Sequence, residues 1–288
     1  IASIVGGQVT LARLDGDLRE RAGQAARIAL NLLLQHVRQV SVETRGLAAA
    51  PELVEVLALQ PKLTRRFLSR RSASSPGMVE VFDARGKLLA RRDPPSPRYR
   101  TLPRNAGARI LRRALDFESQ LTIEKLGPNL AIQVAVPVVD AQFVLRGAVR
   151  RTVLLDDQFA DTLKSVLKAE VAFGGGAGLS GTTFTVGGLR YQRLPKGAVA
   201  EIDEREYTLA ALPLQSTRGD SVGRLVIGLD RHRYLRARAG ALRALAVAFV
   251  VALLSALLLS AVVGRRITTP LARLHRGIQA MAAGDREQ

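Results

Sequence analysis

Arginine, tyrosine and glutamine are the residue types through which this chain would bind something. The stretch 93–118 carries Tyr99, Arg100, Arg104 and Arg109. A guanidinium is planar, permanently charged and pairs bidentately with carboxylates and phosphates, so arginines at this density point to a small anionic ligand. The plainer reading leaves them in solvent, where arginine mostly sits. Further on, Gln133 falls between Ala131 and Ala135 at strand spacing, and such small neighbours leave volume beside an amide. Catalytic chemistry is harder to assemble. The three histidines, His36, His232 and His275, lie at no metal-ligand spacing, and cysteine is absent. Thiolate metal sites and disulfides are therefore excluded, and no metal or other cofactor is expected. No GxSxG elbow exists. The run GGGAG at 174–178 lacks the Gly-Lys-Ser/Thr ending of a phosphate loop and reads as a flexible loop between short strands. The acidic run Glu201-Ile202-Asp203-Glu204-Arg205-Glu206 would need two carboxylates facing one another across a pocket to work as a hydrolase; it reads instead as a solvated loop before a strand at Tyr207. Catalysis within these residues is not expected.

The net charge of +18, from 43 Lys and Arg against 25 Asp and Glu, invites a nucleic-acid reading. The basic residues are spread along the chain, however, and aromatics make up 4% with no tryptophan, which leaves a stacking platform poorly supplied. Nucleic acid is not the expected partner. A general attraction to anionic ligands or lipid headgroups remains.

Several elements must position these residues. Ala22, Ala25, Ala29, Leu33, His36 and Val40, widened by Ile28, Leu32 and Val37, predict a long helix over about 18–45, with His36 packed or at its edge. Pro51 starts one or two shorter helices to about 68, and SASSPG at 72–77 is a turn. From Met78 the period falls to two. MVEVFD and KLLARR predict two strands joined by a tight turn. A proline-rich stretch, a helix over 106–117 and strands at 121–126, 130–137 and 143–153 follow. On the strand 130–137, Leu130, Ile132, Val134 and Val136 share one face and Gln133 the other. The order then partly repeats: an amphipathic helix over 156–169, with Phe159, Leu163, Val166 and Leu167 on one side, precedes short strands at 170–173, 183–186 and 189–193 and longer ones at 207–214 and 223–230.

The end of the chain changes character. A basic helix over 231–243 runs into 244–264, which is uncharged and apolar apart from Ser255 and Ser260, and long enough to span a hydrocarbon core about 30 Å thick. The uncharged run 1–12 reads as the end of a first membrane helix. Beyond Arg265 and Arg266, Pro270 suits a first helical turn, and Leu271, Leu274, Ile278 and Met281 recur at coiled-coil spacing.

Two resemblances follow from these residues. RRITTPLARLHRGIQAMAAGD resembles the first helix of a HAMP domain, the relay between a membrane helix and a signalling output. LRERAGQAA, PELVEVL, VEVFDARGKLLARRD, LAIQVAVPV with LRGAVRRTVLLDDQFADTLKS, and YTLAALPL with GDSVGRLVIGLD resemble the double Cache family of extracytoplasmic sensors over most of 18–235. The tyrosine, arginine and aromatic signature of the amino-acid-binding subgroup is not found. The fold implied is α+β: a long N-terminal helix with two PAS-like antiparallel-sheet modules, then a transmembrane helix and a HAMP coiled-coil helix. The divisions expected are 1–12 (end of a membrane helix), 13–72 (helical region), 73–155 (membrane-distal module), 156–230 (membrane-proximal module), 231–264 (basic helix and membrane span) and 265–288 (HAMP helix). In PAS-like sensors the segment between the second and third strands closes over the sheet. The resemblance therefore implies a pocket formed by Tyr99, Arg100, Arg104 and Gln133, and a signal relay at Leu271, Leu274, Ile278 and Met281 in a parallel homodimer.

The function so implied is ligand sensing outside the cell membrane of a bacterium and relay to a kinase, cyclase or chemotaxis output. The alternatives are a membrane-tethered enzyme or an envelope-binding structural module. Charge does not orient the span: five arginines from Arg231 to Arg243 precede it and Arg265, Arg266, Arg273 and Arg276 follow it. The HAMP resemblance alone implies that 13–243 is extracytoplasmic and 265–288 cytoplasmic.

Overall fold

The computed structural model describes residues 2–59, 61–71, 77–103, 106–175 and 178–263. The HAMP-like stretch 265–288, with the relay residues Leu271, Leu274, Ile278 and Met281, lies outside the described residues, as does Arg104. The chain divides by compactness into 1–231 and 232–288.

One helix carries the first unit. α1 (Ala2–Ala48) is unbroken, and Leu18, Ala22, Ala26, Ala29, Leu33, Val37, Val40 and Thr44 form its buried stripe. Steps of three and four keep these residues on one side of a 3.6-residue helix. The expected face was wider than the real one: Ile28 is 51% exposed, while Leu32 packs only partly against the core. The alanines in the stripe let sheets approach the helix closely. α2 (Pro51–Leu59) and, after a short 3-10 turn, α3 (Thr64–Arg71) cap its far end.

Two five-stranded antiparallel sheets lie along α1. The first contains β1 (Met78–Asp83), β2 (Leu88–Arg92), β3 (Gln120–Leu126), β4 (Asn129–Val139) and β5 (Leu145–Leu154), with α4 (Ala108–Leu115) between β2 and β3. α5 (Asp157–Leu167) then leads into the second sheet, built from β6 (Glu170–Gly175), β7 (Gly178–Thr182), β10 (Val199–Ile202), β11 (Arg205–Gln215) and β12 (Ser221–Asp230). A small hairpin, β8 (Thr185–Val186) and β9 (Leu189–Arg190), is inserted after β7. The spatial orders are β2-β1-β5-β4-β3 and β7-β6-β12-β11-β10. Counted within each sheet, both read second, first, fifth, fourth, third, so the repetition in sequence is a repetition of topology.

A single apolar core joins both sheets to the helix. It includes Leu33 and Val40 of α1, Val81, Ile132, Val134 and Val149 of the first sheet, and Phe173, Leu225 and Ile227 of the second. Strand alternation puts these on one face of each sheet and sends Glu80, Gln133 and Arg150 to the opposite face of the first. Ser180 stitches the sheets together: its hydroxyl accepts the N–H of Leu130 at 2.8 Å and donates to the carbonyl of Leu155 at 2.7 Å. β7 passes so close to the start of α5 that a Cβ on Gly181 would sit 2.3 Å from the carbonyl carbon of Asp156. A side chain there is sterically excluded.

Three expectations need correction. Val166 of α5 is 60% exposed, whereas Leu163 is buried and Phe159 and Leu167 are partly so. The glycine run at 174–178 is not simply a loop between strands: β6 continues to Gly175 and β7 starts at Gly178. Glycines have low strand propensity, which hid this pairing. The acidic run is a hairpin, with Glu201 and Ile202 in β10, Arg205 and Glu206 in β11, and Asp203 and Glu204 at φ 54° and 60° between them. Two central residues at positive φ are the requirement of a two-residue hairpin turn, which matches strand twist.

α6 (Arg231–Val263) belongs mainly to the second unit. Among the described residues no helix is long and apolar enough to cross a membrane. The side chains described on α6 beyond His232 are those of 247–263, and every one of them is exposed.

Candidate functional site

The face of the first sheet turned away from α1 is where apolar and polar side chains meet. Antiparallel register sets them in rows. Thr122, Gln133, Thr152 and Met78 lie in one row across β3, β4, β5 and β1; Ala135, Arg150, Glu80 and Arg91 lie in the next across β4, β5, β1 and β2. Apolar clusters flank the rows, with Met78, Ala131, Leu154 and Tyr99 on one side and Ala135, Ala148, Ile110 and Ala114 on the other.

Glu80 and Arg150 form a buried ion pair, with Nε and Nη2 at 2.8 and 2.7 Å from the same Oε2. The other carboxylate oxygen faces Arg91 Nη1 at 3.9 Å, and the Arg150 guanidinium stands 5.0 Å from the centroid of the Phe82 ring. Arg91 is held mainly by Asp93, with Nε 2.8 Å from its Oδ1, so the two arginines of this row are balanced by two carboxylates. Removing Glu80 would strand the buried Arg150 guanidinium, at a cost of about 3–5 kcal/mol for such a broken buried pair.

Gln133 is fully buried. Its Nε2 donates to Thr152 Oγ1 at a long 3.4 Å, and its Oε1 has no partner among the described residues. Turning the amide over would leave an unpaired N–H in place of an unpaired oxygen. An unmade hydrogen bond of this kind costs about 1–3 kcal/mol. Above it lies Gly107, at φ +73°, where a Cβ would come within 2.8 Å of Oε1. Glycine thus gives the covering segment both its left-handed turn into α4 and its close approach to the amide.

The covering segment itself is pinned at several points. A single 3-10 turn (Pro97–Tyr99) presses Tyr99 into the apolar cluster. The Tyr99 hydroxyl accepts the N–H of Leu154 at 3.0 Å. Burial, partly offset by that hydrogen bond, pushes the phenol up to about 12. Arg91 Nη2 donates to the Tyr99 carbonyl at 3.1 Å. Arg98 reaches down to α5, with Nη2 2.7 Å from Asp157 Oδ2 and Nη1 donating to the Ser180 carbonyl. The other Asp157 oxygen accepts the N–H of Thr182 at 2.8 Å.

Of the residues singled out from sequence, Tyr99 and Gln133 lie on this one face of the sheet. Arg100 is exposed and makes no ion pair among the described residues. Arg109 is paired with Glu124. Sequence reasoning missed Arg98, Arg91, Arg150 and Glu80. Arg150 and Glu80 are two steps along strands whose alternate residues are apolar, a position that argued for an inward-facing charge. Among the described residues no cluster of three or more His, Cys, Asp or Glu would hold a metal ion.

No protein-family model matches the sequence, and no curated protein matches it significantly. Solved structures do. The crystal structure of the periplasmic domain of Vibrio cholerae LuxQ aligns with a TM-score of 0.53 at 9% identity, over 73% of this chain and 99% of that one. A selenomethionine structure of the same domain gives 0.54 at 10% identity, over 73% and 98%. The sensor domain of the V. cholerae histidine kinase DctB gives 0.49 at 12% identity, over 75% and 98%. The chain is built like the LuxQ periplasmic domain. At such identity the likeness is one of fold, and it extends over nearly the whole of the LuxQ domain.

Proposed function

We propose that the chain is the ligand-sensing and signal-relaying part of a bacterial transmembrane receptor, with residues 13–243 outside the cell membrane. The observation that carries this reading is the buried amide of Gln133, its oxygen unpaired among the described residues beneath a segment that is pinned at its edges and brought close by a glycine. A folded protein tolerates such an atom where something else completes it. The likeness to a periplasmic domain supports the location.

The ligand proposed is a small organic anion. Arg100 and Arg104 are its charged contacts, and Tyr99 and Gln133 complete the site. Arg100, exposed and in no ion pair among the described residues, favours an anion over a cation. Ligand binding would bias the covering segment between two arrangements. From there the bias would pass through Arg98 to α5 and the second module.

The relay beyond Asp230 is proposed from sequence together with α6. A helix of 33 residues is about 50 Å long at a rise of 1.5 Å per residue. Its described side chains from Val247 to Val263 are exposed on every side and apolar apart from Ser260 and Ser255, the latter bonding back to the Val251 carbonyl. A helix apolar all round needs an apolar surrounding, and lipid supplies one. The uncharged run begins at Ala244 in the sequence, which gives the length a span requires. A parallel homodimer through Leu271, Leu274, Ile278 and Met281 would carry the signal onward.

The test is a thermal-shift and calorimetric screen of the 288-residue chain in nanodiscs against carboxylates, phosphates and amino acids. A hit would be repeated with Arg100→Ala, Arg104→Ala and Gln133→Leu. A charge-assisted hydrogen bond contributes about 1.5–3 kcal/mol, so each arginine variant is expected to weaken binding roughly tenfold or more. Gln133→Leu should abolish binding without lowering the melting temperature of the free protein, because it removes an unpaired polar atom. Binding unchanged in all three variants would place the site elsewhere.

A further inference from the structure

A cavity opens where β5 runs into α5, at one end of the first sheet. Its volume is about 440 Å³, within the range of pockets that hold small molecules. Pro94, Pro95, Val153 and Phe159 give it apolar walls, and His36 of α1 stands against Phe159 with ring centroids 4.9 Å apart. Tyr99 and Leu154 also line it, so it adjoins the apolar cluster beside the Gln133 row, but it borders the α1 side of the sheet through Val153 and draws on α5, which the polar rows do not touch.

His36 Nε2 is buried and has no hydrogen-bond partner among the described residues. The exposed chain offers many places for a histidine, so a buried ring nitrogen left unpaired at a cavity wall calls for a partner. Asp156 and Arg92 also line the cavity. One negative and one positive group offset each other there, so neither an anion nor a cation is favoured. Asp156 is already engaged as the N-cap of α5, accepting the Phe159 N–H at 3.2 Å.

From this geometry we infer that the cavity is a second binding site, for an uncharged, ring-sized alcohol or phenol whose hydroxyl pairs with His36 Nε2. A hydroxyl both donates and accepts, so it satisfies the imidazole in either neutral tautomer. The apolar walls take the ring. Because the lining comes from α1, the β2 connection, β5 and α5 together, an occupant bridges the first sheet to the helix that opens the second module. It would act on the same junction as Arg98, sharing the Tyr99 wall with the proposed anion site while leaving Gln133 itself free.

The experiment follows the imidazole resonances of the 288-residue chain in nanodiscs, with His36 assigned by His36→Gln, during titration with phenol and cyclohexanol. Benzoate and benzylamine serve as charged counterparts. The neutral probes are expected to shift the His36 resonances saturably, and His36→Phe should weaken them roughly fivefold, the loss of one neutral hydrogen bond. Thr162 is an exposed residue of the cavity wall, so Thr162→Trp should block binding while keeping the melting temperature. Absence of a saturable shift with either neutral probe overturns the site. Stronger binding of benzoate or benzylamine overturns the uncharged class. Binding that survives both His36→Phe and Thr162→Trp overturns the location. All three readouts are independent of Gln133, so the anion site stands or falls separately.

Discussion

His36 shows how one residue registers its surroundings. Burial is the main cause that lowers its pKa, the Arg151 guanidinium adds to it, and the Glu43 carboxylate opposes it. Glu43 is itself affected: burial works to raise it, but the hydrogen bonds from Arg151 and Gln39 outweigh that and hold it below the usual carboxylate value. Arg151 Nη1 lies 2.7 Å from Glu43 Oε2, so these charges tie β5 to α1 beside the imidazole. In the unfolded chain a histidine titrates at about 6.5. The unfolded state therefore binds a proton at a higher pH than the folded state, and stability rises with pH across that interval. The contribution of His36 is fully present above about pH 6.5 and is lost as pH falls through its lower folded value. Urea unfolding of the wild type and His36→Gln at pH 7.5 and 5.5 measures it. The wild type should lose more stability than the variant between the two pH values. Equal losses would mean that the imidazole titrates as it does in the unfolded chain.

At the scale of elements, the junction between the two modules rests on Arg98 and Ser180. Arg98 joins the covering segment to Asp157, and Asp157 in turn receives the N–H of Thr182 on β7. Both side chains are partly exposed, so screening keeps the ion pair within about 1 kcal/mol. Arg98→Ala should therefore change global stability little. It should instead speed backbone hydrogen exchange at 97–102 and at 180–182, since segments held by few contacts open locally. A double-mutant cycle with Asp157→Ala is expected to show coupling in that local exchange. Additive effects would mean that the two elements are held by other contacts. Little of this junction was legible in the sequence. The strands of the first sheet were, because β1, β4 and β5 alternate cleanly and carry β-branched residues. β7, with two glycines in five residues, and β10, with charges on its exposed side, carried no such signal. Arg98 was lost among neighbouring arginines because composition says nothing about which guanidinium finds a carboxylate. Gln133 was legible for a physical reason: small residues on either side of a polar one, on the buried side of a strand, leave space that only the fold can fill or leave open.

For the whole molecule the proposed membrane span turns on which side of a bilayer each end would occupy. The two sheets repeat one topology along α1, and β12 hands the chain directly to α6 as β5 hands it to α5. At that exit Arg231 pairs with both Asp15 of α1 and Glu206 of β11. Arg231, the last residue of the first unit, thus ties α1 to the second sheet, so a shift of that sheet would act on α1. If 244–264 spans the bilayer, Ser221 on β12 and Gln279 in the HAMP-like stretch lie on opposite sides. The chain has no native cysteine, so a single introduced thiol reports without background. A Ser221→Cys variant should react with a membrane-impermeant maleimide on intact, outer-membrane-permeabilised cells. A Gln279→Cys variant should react only after the inner membrane is opened. Reaction of both from outside would leave 244–264 without a span to make, and the exposed apolar side chains of α6 would then need a protein partner. Reaction of Gln279→Cys alone from outside would invert the chain. The near-balance of arginines around the run makes this measurement, and not the charge rule, the one that fixes orientation.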